Sequence, residues 1–289
     1  MKIASFQSGN SVSYGVVVSE NLIEASEEFR ERFATVRDVL EAEALAELGG
    51  DIAKNDLSST HSLSKIQLLS PITNPQRIIC VGINYPKRHP VDRRVLPPPD
   101  NIILFAKLDG TLVGHEQPLE IPIGEASKTF DYEGEITLVI GKHGRHIPAE
   151  KAFDYIAGYT IMNDGSVRGW QKHSVHAGKN FANSGACGPW MVTADEIADP
   201  FVLTLQTWLN GELVQDTVAS EMVFSIPEIV AYISHTIDLR PGDLIATGSP
   251  EGSGGSRQPQ RFLRAGDELE IAVSGVGMLR NQTCAVALR

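Results

Sequence analysis

Glu133 and Glu135 stand two residues apart in Asp131-Tyr132-Glu133-Gly134-Glu135, directly before the β-branched and aliphatic run 136–140, which Gly141 ends. That run reads as a core strand. Side chains alternate along a strand, so the two carboxylates share a face, roughly 6.6 Å apart. Like charges at the edge of an apolar strand repel and lose hydration. A hard divalent cation with oxygen ligands would neutralise them, and so would ordinary exposure at a solvated strand end. Spacing alone leaves both readings open.

Asp164 follows a run ending Met162-Asn163 and precedes Gly165-Ser166. It could be a third carboxylate presented at a strand end, or part of a plain Asn-Asp-Gly turn. Arg168 and Gln171 would share a face if a helix starts there. Lys179, between Gly178 and Asn180-Phe181, reads by itself as a surface lysine. Histidine titrates near neutrality and can serve as a general base. His89 could act as one with Asp92, three residues on, orienting its ring if the loop forms a helical turn, or the two could be a solvated surface pair. His143/His146 and His173/His176 are spaced for zinc but lack a four-ligand pattern, and the carboxylates nearby suit a harder ion. The glycine-rich stretch 247–256 has neither a Gly-Lys-Ser/Thr nor a Gly-x-Gly-x-x-Gly signature, which disfavours nucleotide binding. It reads as a mobile loop over a pocket, with Thr247 offering a hydroxyl. The Gly-x-Ser-x-Gly signature of serine hydrolases does not occur.

The elements that must position these residues are mostly strands. Residues 1–25 read as a small hairpin, and Thr35 caps a helix whose apolar face is Val39, Leu40, Ala44, Leu45 and Leu48, stopped by Gly49-Gly50. The polar stretch 51–64 marks a linker, and the boundary near residue 70 separates a small domain, 1–70, from a larger one, 71–289. Strands are expected at 77–82, 102–106, 158–163, 203–209, 213–215, 244–247 and 268–273, with Asn210-Gly211 as a hairpin turn and one helix at 149–155. Five prolines among residues 86–100 indicate a long exposed loop. Without βαβ alternation or repeats, the class is α+β and mainly β.

Composition narrows the partners. The 289 residues are 42% hydrophobic and 21% charged, with a net charge of −11 that opposes nucleic acid and anionic membranes. No apolar run approaches the roughly 18–20 residues of a membrane span. The first residues lack an apolar signal core, so the expected location is cytoplasmic. Cys80, Cys187 and Cys284 are odd in number and far apart, and read as small hydrophobes rather than disulfides or thiolate ligands.

Taken together, several segments resemble the fumarylacetoacetate hydrolase family. They are Val81-Gly82-Ile83-Asn84-Tyr85, Phe105-Ala106-Lys107, Asp131-Tyr132-Glu133-Gly134-Glu135, Gly158-Tyr159-Thr160, Asn163-Asp164-Gly165-Ser166-Val167-Arg168, Gly178-Lys179-Asn180-Phe181, Gly188-Pro189-Trp190, Asn210-Gly211-Glu212 and the run 241–252, in family order. The resemblance implies a mixed β-sandwich roll as catalytic domain, a small N-terminal α+β domain and a homodimer. It implies that Glu133, Glu135 and Asp164 hold Mg2+, with Mn2+ or Ca2+ able to substitute. It implies catalytic roles for His89, Asp92 and Lys179, and substrate contacts from Arg168, Gln171, Lys107, Tyr159 and Thr247. Two positions depart from the family pattern: the histidine after Asn84-Tyr85 comes one residue late, and Gly169 replaces the usual Asp of Arg-Asp-x-Gln.

The expected activity is hydrolysis of a C–C bond in a 2,4-diketo acid, such as an acylpyruvate or fumarylpyruvate, through a metal-stabilised enolate. The alternatives are decarboxylation or keto–enol tautomerisation of an oxaloacetate-like acid at the same site, and a catalytically impaired binding paralogue. The substrate in each enzymatic case is a small anionic keto acid.

Overall fold

Alternating apolar side chains explain why the strand Gly134–Ile140 is buried along its whole length. In this computed structural model, which describes residues 1–54, 60–86, 89, 91–92, 94 and 97–286, Ile136, Leu138 and Ile140 pack with Leu205, Leu209, Leu269, Ile271 and Leu279 of a second sheet. Val139 faces the other way, in a cluster with Ile3, Tyr14, Val36, Val39, Leu40 and Leu48 from the N-terminal segment. The central strand thus separates two apolar cores.

Among the described residues the larger sheet has twelve strands. Its main path runs Thr60–Ser62, Asn21–Glu24, Ser11–Val18, Lys2–Ser8, Gly185–Thr193, Ile156–Asn163, Gly134–Ile140, Leu244–Ala246, Ile78–Gly82 and Ile103–Lys107. The second sheet orders Glu212–Val218, Thr204–Leu209, Glu268–Val273, Gly277–Ala285 and Leu119–Ile121. The chain is therefore α+β and mainly β, as its sequence implies. The larger sheet continues across residue 70, because Lys2–Ser8 pairs antiparallel with Gly185–Thr193, with Lys2 opposite Val192. Of the polar stretch 51–64, residues 55–59 lie outside the described residues.

Most expected elements form, with one correction. The Thr35 cap is present as a reciprocal box, Asp38 N–H donating to Thr35 Oγ1 at 3.3 Å and Thr35 N–H to Asp38 Oδ2 at 2.8 Å. The helix it starts, Val36–Glu41, is shorter than expected, and a second helix, Leu45–Lys54, runs straight through Gly49 and Gly50. Glu43, at φ +52°, makes the break. Tertiary packing then outweighs the two glycines' poor helix propensity: Leu48 is fully buried, and a Cβ on Gly49 would stand 3.3 Å from Met1 Sδ. The segment 149–155 is helical, but of the tighter 3-10 kind. Asn210 and Gly211, at φ +52° and +79°, form the hairpin turn expected of that pair. No described helix is long and apolar enough to cross a membrane.

Candidate active site

The register between two neighbouring strands assembles the acidic centre. Gly134 pairs with Asn163, so Glu133 and Glu135 flank the point where the Ile156–Asn163 strand gives way to Asp164. Asp164 N–H donates to the Glu133 carbonyl at 2.8 Å, and Glu133 N–H to Asn163 Oδ1 at 3.0 Å. Gly165 is required here: a Cβ would stand 1.7 Å from the Ser184 carbonyl oxygen. The result is three buried carboxylates offering oxygens within 4.8 Å of one another, the one such metal-capable cluster among the described residues. The spaced histidine pairs build no comparable group.

Four side chains surround the triad. Lys179, at the end of the helix Val175–Lys179, is buried rather than at the surface, and its ammonium donates to Glu133 Oε2 and Asp164 Oδ2. Burial opposes its charge, but Asp164 and Glu133 outweigh this and hold its pKa above the ordinary lysine range. Lys107 Nζ reaches Asp164 Oδ1 at 2.9 Å and the Lys179 carbonyl at 2.7 Å. Arg168 opens the one-turn helix Arg168–Gln171, donates from Nε to Asp131 Oδ2 at 2.7 Å and sets Nη2 3.0 Å from Glu133 Oε1, close enough to pair but not aligned as a hydrogen bond.

Asp131 is the functional residue that sequence reasoning left without a role. Fully buried, it accepts from Tyr132 N–H at 2.9 Å, Gly254 N–H at 2.7 Å, Gly255 N–H at 2.9 Å and Arg168 Nε. It therefore ties the glycine-rich loop to the arginine beside the triad. This corrects the mobile-loop expectation: residues 253–256 are buried, and Tyr132 Oη donates to the Gly252 carbonyl at 2.9 Å. The signal for Asp131 was its place in a strand end beside a glycine-rich segment able to offer free N–H groups.

Charge in this centre does not close. Asp131, Glu133, Glu135 and Asp164 face Lys107, Arg168 and Lys179, four acids against three bases. Glu135 has no cationic side chain within ion-pair distance among the described residues; Gly248 N–H, at 2.8 Å, supports it. Burial, then the charges of Asp164 and Glu133, push its pKa well above the usual carboxylate range. A cluster of oxygen donors with surplus buried negative charge fits a hard divalent cation.

Above the triad opens a cavity of ≈ 340 Å³, whose lining includes Glu133, Glu135, Arg168, Gln171, Lys179 and His89. His89 Nδ1 lies 3.2 Å from Asp92 Oδ1, and His89 N–H donates to the Arg94 carbonyl at 2.9 Å. The dyad thus forms despite the shifted spacing. Burial lowers the His89 pKa, Asp92 opposing and Arg94 and Arg168 assisting. Residues 87, 88, 90, 93, 95 and 96 of the proline-rich loop lie outside the described residues.

Three expected substrate contacts lie elsewhere. Tyr159 is in the apolar core with Leu138 and Ile161. Thr247 Oγ1 donates to the Ile136 carbonyl at 2.9 Å and is fully buried. Lys107 supports Asp164 from behind. At Gly169, whose N–H donates to Thr129 Oγ1 at 2.9 Å, a hydroxyl from outside the motif steadies the turn that carries Arg168.

Residues 77–283 match the family described as fumarylacetoacetate (FAA) hydrolase C-terminal. The chain is 37% identical over 292 residues to an oxaloacetate tautomerase of Xenopus laevis named as mitochondrial, covering 97% of this chain and 89% of that one. Its fold matches a fumarylacetoacetate hydrolase from Exiguobacterium antarcticum with a TM-score of 0.82 and 30% identity, over 99% of this chain and 100% of that one. It also matches a maleylpyruvate hydrolase from Sphingobium sp. SYK-6, in complex with manganese(II) and pyruvate, with a TM-score of 0.78 and 26% identity over 99% and 100% of the two chains.

Proposed function

Since the chain belongs to the fumarylacetoacetate hydrolase family, we propose that it interconverts the keto and enol forms of an oxaloacetate-like 2-oxo acid, using Mg2+ or Mn2+ held by Glu133, Glu135 and Asp164. The likeness to an oxaloacetate tautomerase across 97% of the chain carries this reading. The C–C bond hydrolase expected first is thereby less well supported than its tautomerase alternative. The likeness to a maleylpyruvate hydrolase keeps the hydrolase as the second reading.

Tautomerisation breaks one C3–H bond and forms one O–H bond at the C2 oxygen, so it needs a proton carrier and no added water. His89 fits that task. Its lowered pKa keeps the imidazole neutral at pH 7, and Asp92 orients Nδ1. The ring takes the C3 proton and returns it to the C2 oxygen. Gln171 lines the cavity where the anionic end of the substrate would lie, Arg168 bridges Asp131 and Glu133, and Lys179 fixes Glu133 and Asp164 in one place. A divalent cation at the three carboxylates would supply electrostatic stabilisation for negative charge developing on the 2-oxo oxygen. We also propose a homodimer, to be checked by sedimentation, and keep the cytoplasm as the proposed compartment beside the mitochondrial name of the frog relative.

The deciding experiment compares two reactions under one set of conditions with Mn2+ present: ketonisation of enol-oxaloacetate and hydrolysis of acylpyruvates. Fast ketonisation with slow hydrolysis is expected. Efficient acylpyruvate hydrolysis beside uncatalysed ketonisation would overturn the reading.

His89→Ala should slow tautomerisation by on the order of 10²-fold. Because burial lowers the His89 pKa, protonation needs a more acidic solution than the ordinary value near 6.5. The wild-type kcat/KM should therefore stay level through neutrality and fall only at pH below the ordinary histidine value near 6.5. An acid limb that survives unchanged in His89→Ala would remove the base assignment.

A further inference from the structure

We propose that Lys172 is a specificity-determining residue whose ammonium receives the distal carboxylate of a C4 dicarboxylate lying with its 2-oxo end at the acidic triad. The inference rests on the reading of that triad as the 2-oxo acid site. Lys172 follows the one-turn helix Arg168–Gln171 and lines the same cavity as Glu133, Glu135 and Lys179. The other two lysine or arginine side chains in that lining are committed, Arg168 to Asp131 and Glu133, Lys179 to Glu133 and Asp164. Lys172 makes no ion pair or side-chain hydrogen bond among the described residues and is exposed, so its charge is open to a ligand.

The rest of the wall explains why this charge selects. Val81, Ile103, Phe105 and Val175 line the cavity. A carboxylate placed against such groups would lose hydration without gaining a partner. An acid with an apolar tail would meet no such cost. Among the described lining residues the distal carboxylate therefore has one uncommitted lysine or arginine to reach, and a flexible four-carbon stem allows Lys172 to meet it. Because the ammonium is exposed, the contact weakens with added salt.

The test uses two unreactive acids that differ at the distal end, malate with a carboxylate and 2-hydroxybutyrate with a methyl. Binding to the Mn2+-loaded full chain is read by calorimetry. Lys172→Met should weaken malate by about tenfold while leaving 2-hydroxybutyrate unchanged, and Lys172→Arg should restore malate binding. With oxaloacetate as substrate, the loss should fall on KM rather than kcat. Equal malate affinity in wild type and Lys172→Met, or a parallel loss of both acids, would overturn the proposal. If oxaloacetate is not turned over yet malate still depends on Lys172, the tautomerase reading fails and this inference stands.

Discussion

Glu135→Gln is expected to lower metal-dependent turnover by about 10²–10³-fold while the metal-free protein melts at the wild-type temperature or above it. The two halves have one cause. Glu135 is a buried carboxyl with no cationic side chain within ion-pair distance among the described residues, and burial together with Asp164 and Glu133 raises its pKa. A carboxyl group with a raised folded-state pKa favours folding while protonated, and that contribution fades as pH rises through the folded value. Ionising Glu135 therefore burdens the metal-free fold. The amide removes that burden, and its oxygen still accepts from Gly248 N–H. A divalent cation should raise the melting temperature of the wild type and leave the variant unmoved. Thermal melts with and without Mn2+, read beside turnover, check both halves. Wild-type turnover in the variant at saturating Mn2+ would count decisively against the ligand assignment. Glu133 offers a less clean test, because its loss would take one of two carboxylate partners from each of buried Lys179 and Arg168.

Asp131→Asn should destabilise the fold by about 3–5 kcal/mol, the range for breaking a buried ion pair by removing one charge. Asp131 Oδ1 accepts from Tyr132 and Gly254, and Oδ2 accepts from Gly255 and Arg168. An asparagine has one acceptor oxygen, so its amide group would face two donors. Arg168 and the glycine loop should loosen together, and turnover should fall although Asp131 touches no substrate. The midpoint of chemical denaturation measures the first effect. An unchanged midpoint would show that the buried network contributes little.

Much of this was legible in the sequence because its cause is local. Alternation in residues 133–140 placed two carboxylates on one face, and the register with the Ile156–Asn163 strand then brought Asp164 to them. Asn210-Gly211 announced its own turn. The parts not legible depend on contacts between distant segments. Lys179 looks like a surface residue until Glu133 and Asp164, 46 and 15 positions away, meet its ammonium. Tyr159 and Thr247 sit in family motifs, yet packing and a backbone carbonyl occupy them. The Leu45–Lys54 helix defied its glycines because Leu48 is buried against other elements. The helix Ile226–Thr236 was missed although Ser225 and Glu228 form a capping box, with Ser225 N–H donating to Glu228 Oε2 at 2.7 Å. Its Ser-x-x-Glu signature was available to be read.

The most direct measurement is the initial rate of enol-oxaloacetate ketonisation by metal-stripped protein as Mn2+ is returned. The rate should climb from near the uncatalysed value and saturate at one ion per chain, with no such rise in Glu135→Gln. A metal-stripped enzyme at full speed, or a wild-type rate that ignores added Mn2+, would contradict a cation-dependent tautomerase built on Glu133, Glu135 and Asp164.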